Sequence, residues 1–382
     1  MYTTAMFQLK KSFALTILIC GVALICHGEY SMEYVGKRTN LFYKGARIDF
    51  LQCVKQQLQR YPESRLRDMV LLARQASGQA AIRNRKQAWE NFSKAFAAVS
   101  PADLPLFEII SPDFCRVNLV AWKKAGLPGK WLFNMSCASA EMFPQDSAIL
   151  NEYITQLCSF FGKKRTELEE FVKSQHHSRQ FLEKYAPSYR VINTRFLTVF
   201  PVLLAAAKLP EKTVTVIAVD GKAASGKTTL AKYLALILEA DAIHMDDFFL
   251  PLALRSKKRL AEPGGNVHYE RFKIEVLPFL RQQKSFSYQR FDCSRMQLGA
   301  KRNISASRWR IVEGAYSLHP EFGNYADLKV FFDITPAVQL ARIRKRNGER
   351  KAKEFSTRWI PMEEKYISTF NIKKQADVII GK

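Results

Sequence analysis

The sequence predicts an α/β domain over its second half and an all-helical region before it. Three observations carry this expectation. A β-branched apolar run at 213–219 leads into a glycine-rich loop and then into a helix-patterned run ending at Leu238. Strand-like and helix-like runs then alternate to the end, as a parallel sheet with crossover helices requires. Before Phe200 the apolar residues recur at steps of three and four instead, which is the helical period.

Taken in order, Lys10 and Lys11 precede an uncharged run from Ser12 to Gly28 with the apolar centre ALTILICGVALIC. This resembles a secretory signal or a short membrane anchor. A spanning helix needs about 20 apolar residues, more than this run holds. No small-x-small cleavage site follows. A translation start at Met32 is the third reading, and residues 1–31 are set apart as a signal-like or mis-assigned segment.

Helical pattern then runs from about Tyr34 to Phe200. DFLQCVKQQLQRY and SRLRDMVLLARQASGQ are amphipathic, with Pro62 and Ser64 marking a break and a cap between them. Residues 86–99 place Trp89, Phe92 and Phe96 on one face. Pro101, Pro105 and Pro112 interrupt with a loop. RVNLVAWKKAG is expected as a helix ended by Gly126. KWLFNMSCASAEMF and SAILNEYITQLCSFFGK follow, the latter closed by Lys163, Lys164 and Arg165 as suits a helix C-terminus. ELEEFVKSQHHSRQFLEKY reads as one further helix. Its adjacent His176 and His177 point different ways, make a poor metal pair and read as surface or capping residues. Residues 189–207 form a last apolar helix-like run. The domain boundary falls between Pro187 and Lys212, giving units at 32–205 and 206–382.

In the second unit the expected strands are 214–219, 242–245, 310–312, 328–332 and 377–380. The expected helices are 228–238, 269–280, 336–346 and 361–370.

The loop between the first strand and helix is GKAASGKT. Gly221, Gly226, Lys227 and Thr228 fit the phosphate-binding pattern G-x-x-x-x-G-K-[ST]. The glycines let backbone approach phosphate oxygens. Small Ala223, Ala224 and Ser225 keep the loop open, so that the amides from Lys222 onward form an anion nest at a helix N-terminus. Lys227 suits the β- and γ-phosphates, Thr228 suits Mg²⁺, and Thr229 completes the cofactor-binding stretch. The second strand runs into Asp246 and Asp247, and the third ends in Glu313. Acids at the carboxyl ends of parallel strands face the ligand crevice. Either Asp246 or Asp247 could orient or deprotonate a hydroxyl acceptor. Glu313 could hold Mg²⁺ or contact that acceptor. Arg342, Arg344 and Arg346 lie at two-residue steps, so not all of them share a helical face.

At 382 residues the chain has room for two or three domains. Its formal net charge of +24 suits anionic partners: nucleotides, nucleic acid or an anionic membrane surface. The seven cysteines show no CxxC spacing, which suggests neither a zinc site nor a disulfide framework. With a loop that needs ATP, a cytoplasmic location is expected, the alternative being an anchor that faces the cytoplasm.

The segment 214–378 resembles the uridine kinase and phosphoribulokinase group of P-loop kinases, in particular a bacterial uridine kinase-like branch. The resemblance rests on VDGKAASGKTTLA, MDDFF, EPGGNVHYERF, IVEGAYSLHP, RIRKRNG and RWIPMEEKY. It implies a five-stranded parallel sheet with helices on both faces and a lid. It also implies an ATP- and Mg²⁺-dependent kinase whose acceptor is a small hydroxyl compound such as a nucleoside. By the same resemblance Asp246 is the base, Lys227 and Thr228 hold phosphate and metal, Glu313 is the strand-end acid, and Arg346 belongs to the lid. Asp247, Tyr288, Arg290 and Asp292 fall where acceptor-binding residues often lie. The helical half is similar to an extension in front of some members of this branch, to which no function attaches. The alternative is a nucleotide-binding regulatory or RNA-associated module. The absence of N-K-x-D and of L-S-G-G-Q speaks against a guanine-nucleotide switch and a transporter-type ATPase.

Overall fold

The computed structural model describes residues 49–381 throughout. Of the first 48 it describes the backbone of Ile17–Ile19, Val22–His27, Tyr30–Val35 and Arg38–Tyr43. Five parallel strands form the centre of the second half: Thr215–Gly221, Ala242–His244, Trp309–Glu313, Leu328–Asp333 and Val378–Gly381. Across the sheet they run fifth, fourth, first, third, second in chain order. Every expected strand is present. The first strand is buried along its whole length, as a parallel strand covered on both faces must be. Its alternate residues serve two cores: Ile217 and Val219 face one, Val216 and Ala218 the other.

On the first face lie the loop helix Lys227–Leu238 and the helix Phe200–Ala207. The second face is covered from Tyr269–Glu275 and Ile360–Thr369, among others. The expected helix from Pro336 is present and breaks at Gly348, whose backbone is not helical, before a further helical stretch runs on to Glu354. An antiparallel hairpin, Phe286–Asp292 with Gln297–Ile304, fills the stretch that sequence patterning left unassigned.

Arg38–Tyr43 pairs in parallel with the edge strand Val378–Gly381, and three further antiparallel strands continue the sheet outward. Among the described residues the sheet thus has nine strands. Tyr34, Val35 and Arg38–Tyr43, read as the start of the helical pattern, are extended instead. The signal-like run is extended at Ile17–Ile19 and Val22–His27, and the rest of it lies outside the described residues. Among the described residues no helix is long and apolar enough to cross a membrane.

The region 49–207 is mainly helical, with a three-stranded antiparallel sheet of Phe107–Ile109, Phe114–Asn118 and Tyr189–Asn193 that the periodicity missed. RVN therefore belongs to a strand. The helix begins at Leu119, where the Asn118 side chain accepts the Val120 and Ala121 amides. Residues 189–207 divide into that strand, a 3-10 turn at Thr194–Val199 and the helix Phe200–Ala207, because β-branched Val191 and Ile192 pair in the sheet and Asn193 caps the turn. The single helix expected around His176 is two, Arg165–Val172 and Arg179–Tyr185, with Ser178 capping the second. His177 is buried, not at the surface. Its Nδ1 lies 2.9 Å from Asp68 and its ring stacks on Phe181.

One apolar core runs across the 205/206 boundary. Phe196 packs on Tyr233 at 4.4 Å between ring centroids, and Trp131 meets Trp309 at 5.7 Å. The buried Asn134 donates to the Ile237 carbonyl at 3.0 Å. The helical region thus lies directly on the helix that follows the phosphate loop. The described cysteines, Cys53, Cys115, Cys137, Cys158 and Cys293, are all free thiols.

Candidate active site

The first strand ends at Gly221 with a φ of 136°, a conformation open to glycine and closed to most other residues. Space enforces the same choice, because a Cβ there would lie 2.3 Å from the Phe332 carbonyl oxygen of the neighbouring strand. Ala224 and Gly226 also turn with positive φ. The loop wraps back on itself and delivers the chain into the helix at Lys227. Lys227 is buried, and its Nζ donates to the carbonyls of Gly221 at 2.7 Å and Lys222 at 2.8 Å. Its ammonium thus spans the loop. Ser225 Oγ is buried without a protein partner, a donor to spare for a phosphate oxygen. Thr228 and Thr229 are exposed on the first turn of the helix.

Glu313 ends the neighbouring strand, in register with Val219 on one side and His244 on the other. Its carboxylate is buried. One oxygen accepts the Thr228 hydroxyl at 3.3 Å, and the other lies 2.5 Å from His244 Nδ1. Thr228 and Glu313 therefore converge as oxygen donors of the kind a hard divalent cation takes. Among the described residues no group of three or more His, Cys, Asp or Glu could hold a metal by itself. Mg²⁺ here would complete its shell with phosphate oxygens and water, as it does wherever few protein ligands are offered.

Asp246 follows the edge strand on a 3-10 turn, Met245–Phe248. The residue is exposed to solvent. Partial desolvation by the protein around it, and then the charge of Glu313, push its pKa upward, while Lys227 and His244 oppose the shift. Asp247 turns the other way and is buried. It accepts the Tyr288 hydroxyl at 2.8 Å and ion-pairs with Arg290 at 3.3 Å and Arg302 at 3.1 Å. It is the anchor of the hairpin. Desolvation and the Asp247 charge raise the Tyr288 phenol, which keeps it a donor.

The structure thus brings together Lys227, Thr228, Glu313 and Asp246 at the carboxyl ends of three adjacent strands, with Asp247, Tyr288 and Arg290 beside them. Asp292 ends the first strand of the hairpin. It sits at the hairpin tip and accepts from the Ser294 amide and hydroxyl at 2.8 and 2.6 Å. Arg346 is exposed, with its Nε on Asn347 at 2.7 Å. The arginine that reaches the loop is Arg342, one turn earlier, which donates to the carbonyls of Ala224 at 3.2 Å and Ser225 at 3.0 Å. His244, Arg302, Glu363 and Asp220 also contribute, and none was singled out from sequence. Asp220 is buried below the loop, where it accepts the Gly221, Tyr316 and Leu318 amides. Burial raises its pKa. Glu363 lies inside the RWIPMEEKY motif, the one signal that could have found it.

No family model and no curated protein sequence matches the chain. Solved structures similar to it cover about half of it, the C-terminal part. A possible uridine kinase from Bacillus stearothermophilus is 22% identical over 49% of this chain and 96% of its own, with a TM-score of 0.35. A provisionally named fructose transport system kinase from Silicibacter sp. TM1040 is 22% identical over 44% of this chain and 90% of its own, with a TM-score of 0.37. A D-glycerate 3-kinase from Cryptococcus neoformans is 13% identical over 45% and 86%, with a TM-score of 0.32. Likeness at this level carries nothing about activity or substrate.

Proposed function

We propose that this chain is an ATP-dependent phosphotransferase that passes the γ-phosphoryl group to a hydroxyl of a small acceptor, with a nucleoside as the first candidate. The observation that carries the reading is the juxtaposition of a phosphate loop with Asp246 across Glu313. A loop alone would support nucleotide binding. A loop beside an acid at the carboxyl end of a nearby strand, at the crevice where parallel sheets take their ligands, supports transfer.

In this reading the amides of residues 226–229, at the start of the loop helix, and Lys227 cradle the β- and γ-phosphates. Thr228 and Glu313 would hold Mg²⁺, which when bound neutralises charge on those phosphates. Asp246 accepts the acceptor's hydroxyl proton as that oxygen bonds to the γ-phosphorus. The bond from that phosphorus to the bridging oxygen breaks, and ADP leaves. Catalysis is then mostly positioning and charge neutralisation. Arg342 holds the loop backbone, and Arg346, one turn on, is the residue available to approach the transferring group. Tyr288 and Arg290 shape the acceptor side through Asp247. Residues 206–382 are the catalytic unit, 32–205 the unit before it, whose mainly helical part covers the loop helix, and the cytoplasm the compartment that supplies ATP.

A panel of nucleosides, sugars and vitamins, each incubated with the full chain, ATP and Mg²⁺, tests this reading. One acceptor should consume ATP stoichiometrically. ATP binding without turnover, together with salt-sensitive nucleic-acid binding, would favour the regulatory or RNA-associated alternative.

A further inference from the structure

The motif RWIPMEEKY has no part in the transfer described above. It occupies the π-turn Phe355–Trp359 and the helix Ile360–Thr369, with Pro361 in the first turn of that helix. Three of its side chains reach the start of the phosphate loop. Tyr366 donates its hydroxyl to Asp220 at 2.7 Å. Glu364 ion-pairs with Lys222 at 3.2 Å. Glu363 Oε2 accepts the Ala223 amide at 3.0 Å. Glu363 and Tyr366 are three residues apart and so share a helix face, and both are buried. The preceding helix supplies the next contacts. Gln339 Nε2 donates to Glu363 at 3.2 Å, and Arg342 takes the Ala224 and Ser225 carbonyls.

A buried carboxyl beside a loop built for polyanions is costly on electrostatic grounds. Burial pushes Glu363 up to about 7, and Lys227 opposes the shift. What the carboxyl does in return is hold one loop amide.

We propose that Glu363 is a positioning residue: it fixes the Ala223 amide and, with Glu364 and Tyr366, makes the helix Ile360–Thr369 a clamp that sets the shape of the phosphate loop before nucleotide binds. This inference rests on the reading of the loop as an ATP site. The glutamate touches loop backbone, not substrate. A glutamine can accept the same amide, whereas an alanine cannot. The groups that face Glu363 are Lys227 from the loop helix, Asp220 from the first strand, Tyr316 from the turn after the third strand, and Gln339 from the preceding helix. Lys227 favours the carboxylate, and Asp220 and burial favour the acid. A bound triphosphate adds negative charge on the same side. Nucleotide affinity should therefore weaken as pH rises through about 7 and the carboxylate forms.

The test is calorimetric titration of the full chain with MgATP, below and above that pH, for wild type, Glu363→Gln, Glu363→Ala and Lys227→Ala. Glu363→Ala should bind about tenfold more weakly, the loss expected when a buried hydrogen bond that holds the loop goes. Glu363→Gln should stay within about twofold of wild type at the lower pH, because its amide oxygen restores that bond. It should also lack the extra weakening at the higher pH. Comparison on the same nucleotide removes the titration of ATP itself. If Lys227→Ala binds MgATP as wild type does, the ATP reading of the loop fails. If Lys227→Ala loses binding while Glu363→Ala binds like wild type at both pH values, the clamp alone is overturned. Should Glu363→Ala not fold, Glu363→Gln decides: a pH slope equal to wild type overturns the proposal, and a flattened slope supports it.

Discussion

Replacing Asp246 by asparagine keeps the side-chain size and removes charge and basicity together. General-base catalysis contributes about 10²–10⁴-fold, so kcat should fall by that much, about 3–5 kcal/mol of barrier. ATP affinity should hardly change, because the loop and Lys227 hold the phosphates. A second readout comes from the environment of Asp246. Desolvation and Glu313 raise its pKa, so the wild-type rate should climb with pH through a point above the usual carboxylate range as the base deprotonates. Asp246→Asn should lose that acid limb along with its rate. Asp247→Asn is the internal control. It should weaken the ion pairs to Arg290 and Arg302 and loosen the hairpin, raising the acceptor KM while costing kcat much less than Asp246→Asn. The assay is initial-rate kinetics for both variants against pH, with ATP binding measured in parallel. If Asp247→Asn is the inactive variant and Asp246→Asn is near normal, the roles are reversed. If neither matters, the acid must be sought at Glu313.

Further outcomes are expected. Lys227→Ala and Thr228→Ala should both lower turnover strongly, with excess Mg²⁺ partly restoring only the Thr228 variant, which a Mg²⁺ titration of the rate will show. Arg342→Ala should weaken ATP binding, since Arg342 holds the loop carbonyls, whereas Arg346→Ala should leave binding intact and lower kcat. Parallel binding and rate measurements separate the two. A chain that starts at Met32 should bind ATP as the full chain does. The strands it loses, Ile17–Ile19 and Val22–His27, pair antiparallel outside the five-stranded sheet, and calorimetry on both forms checks this.

The sheet was legible because its strands are apolar runs bounded by glycine and acid, and because the loop motif fixes strand, turn and helix at once. The placement of Lys227, Thr228, Asp246 and Glu313 near the carboxyl ends of adjacent strands was legible because each follows a strand or the loop motif at a fixed chain position. The site was not legible where a partner comes from far along the chain. Nothing local in SYQRFDCSRMQLG says that Tyr288 and Arg290 bind Asp247, or that Asp292 accepts from the turn that follows it. Arg342 and Arg346 lie one turn apart on the same basic helix, so only the packing of that helix on the loop decides between them. The small sheet of the first half was hidden for a similar reason. Phe114–Asn118 is a short strand whose apolar residues run straight into a helix, and a window of helical length absorbs it.

The central claim is transfer from the phosphate loop to a hydroxyl. It is tested most directly by following the label of γ-labelled ATP with and without acceptor, in wild type and in Lys227→Ala. The account expects label on the acceptor in wild type, little release to water without acceptor, and neither in Lys227→Ala. Label that passes only to water at a rate indifferent to every acceptor, or transfer that survives Lys227→Ala, would contradict it.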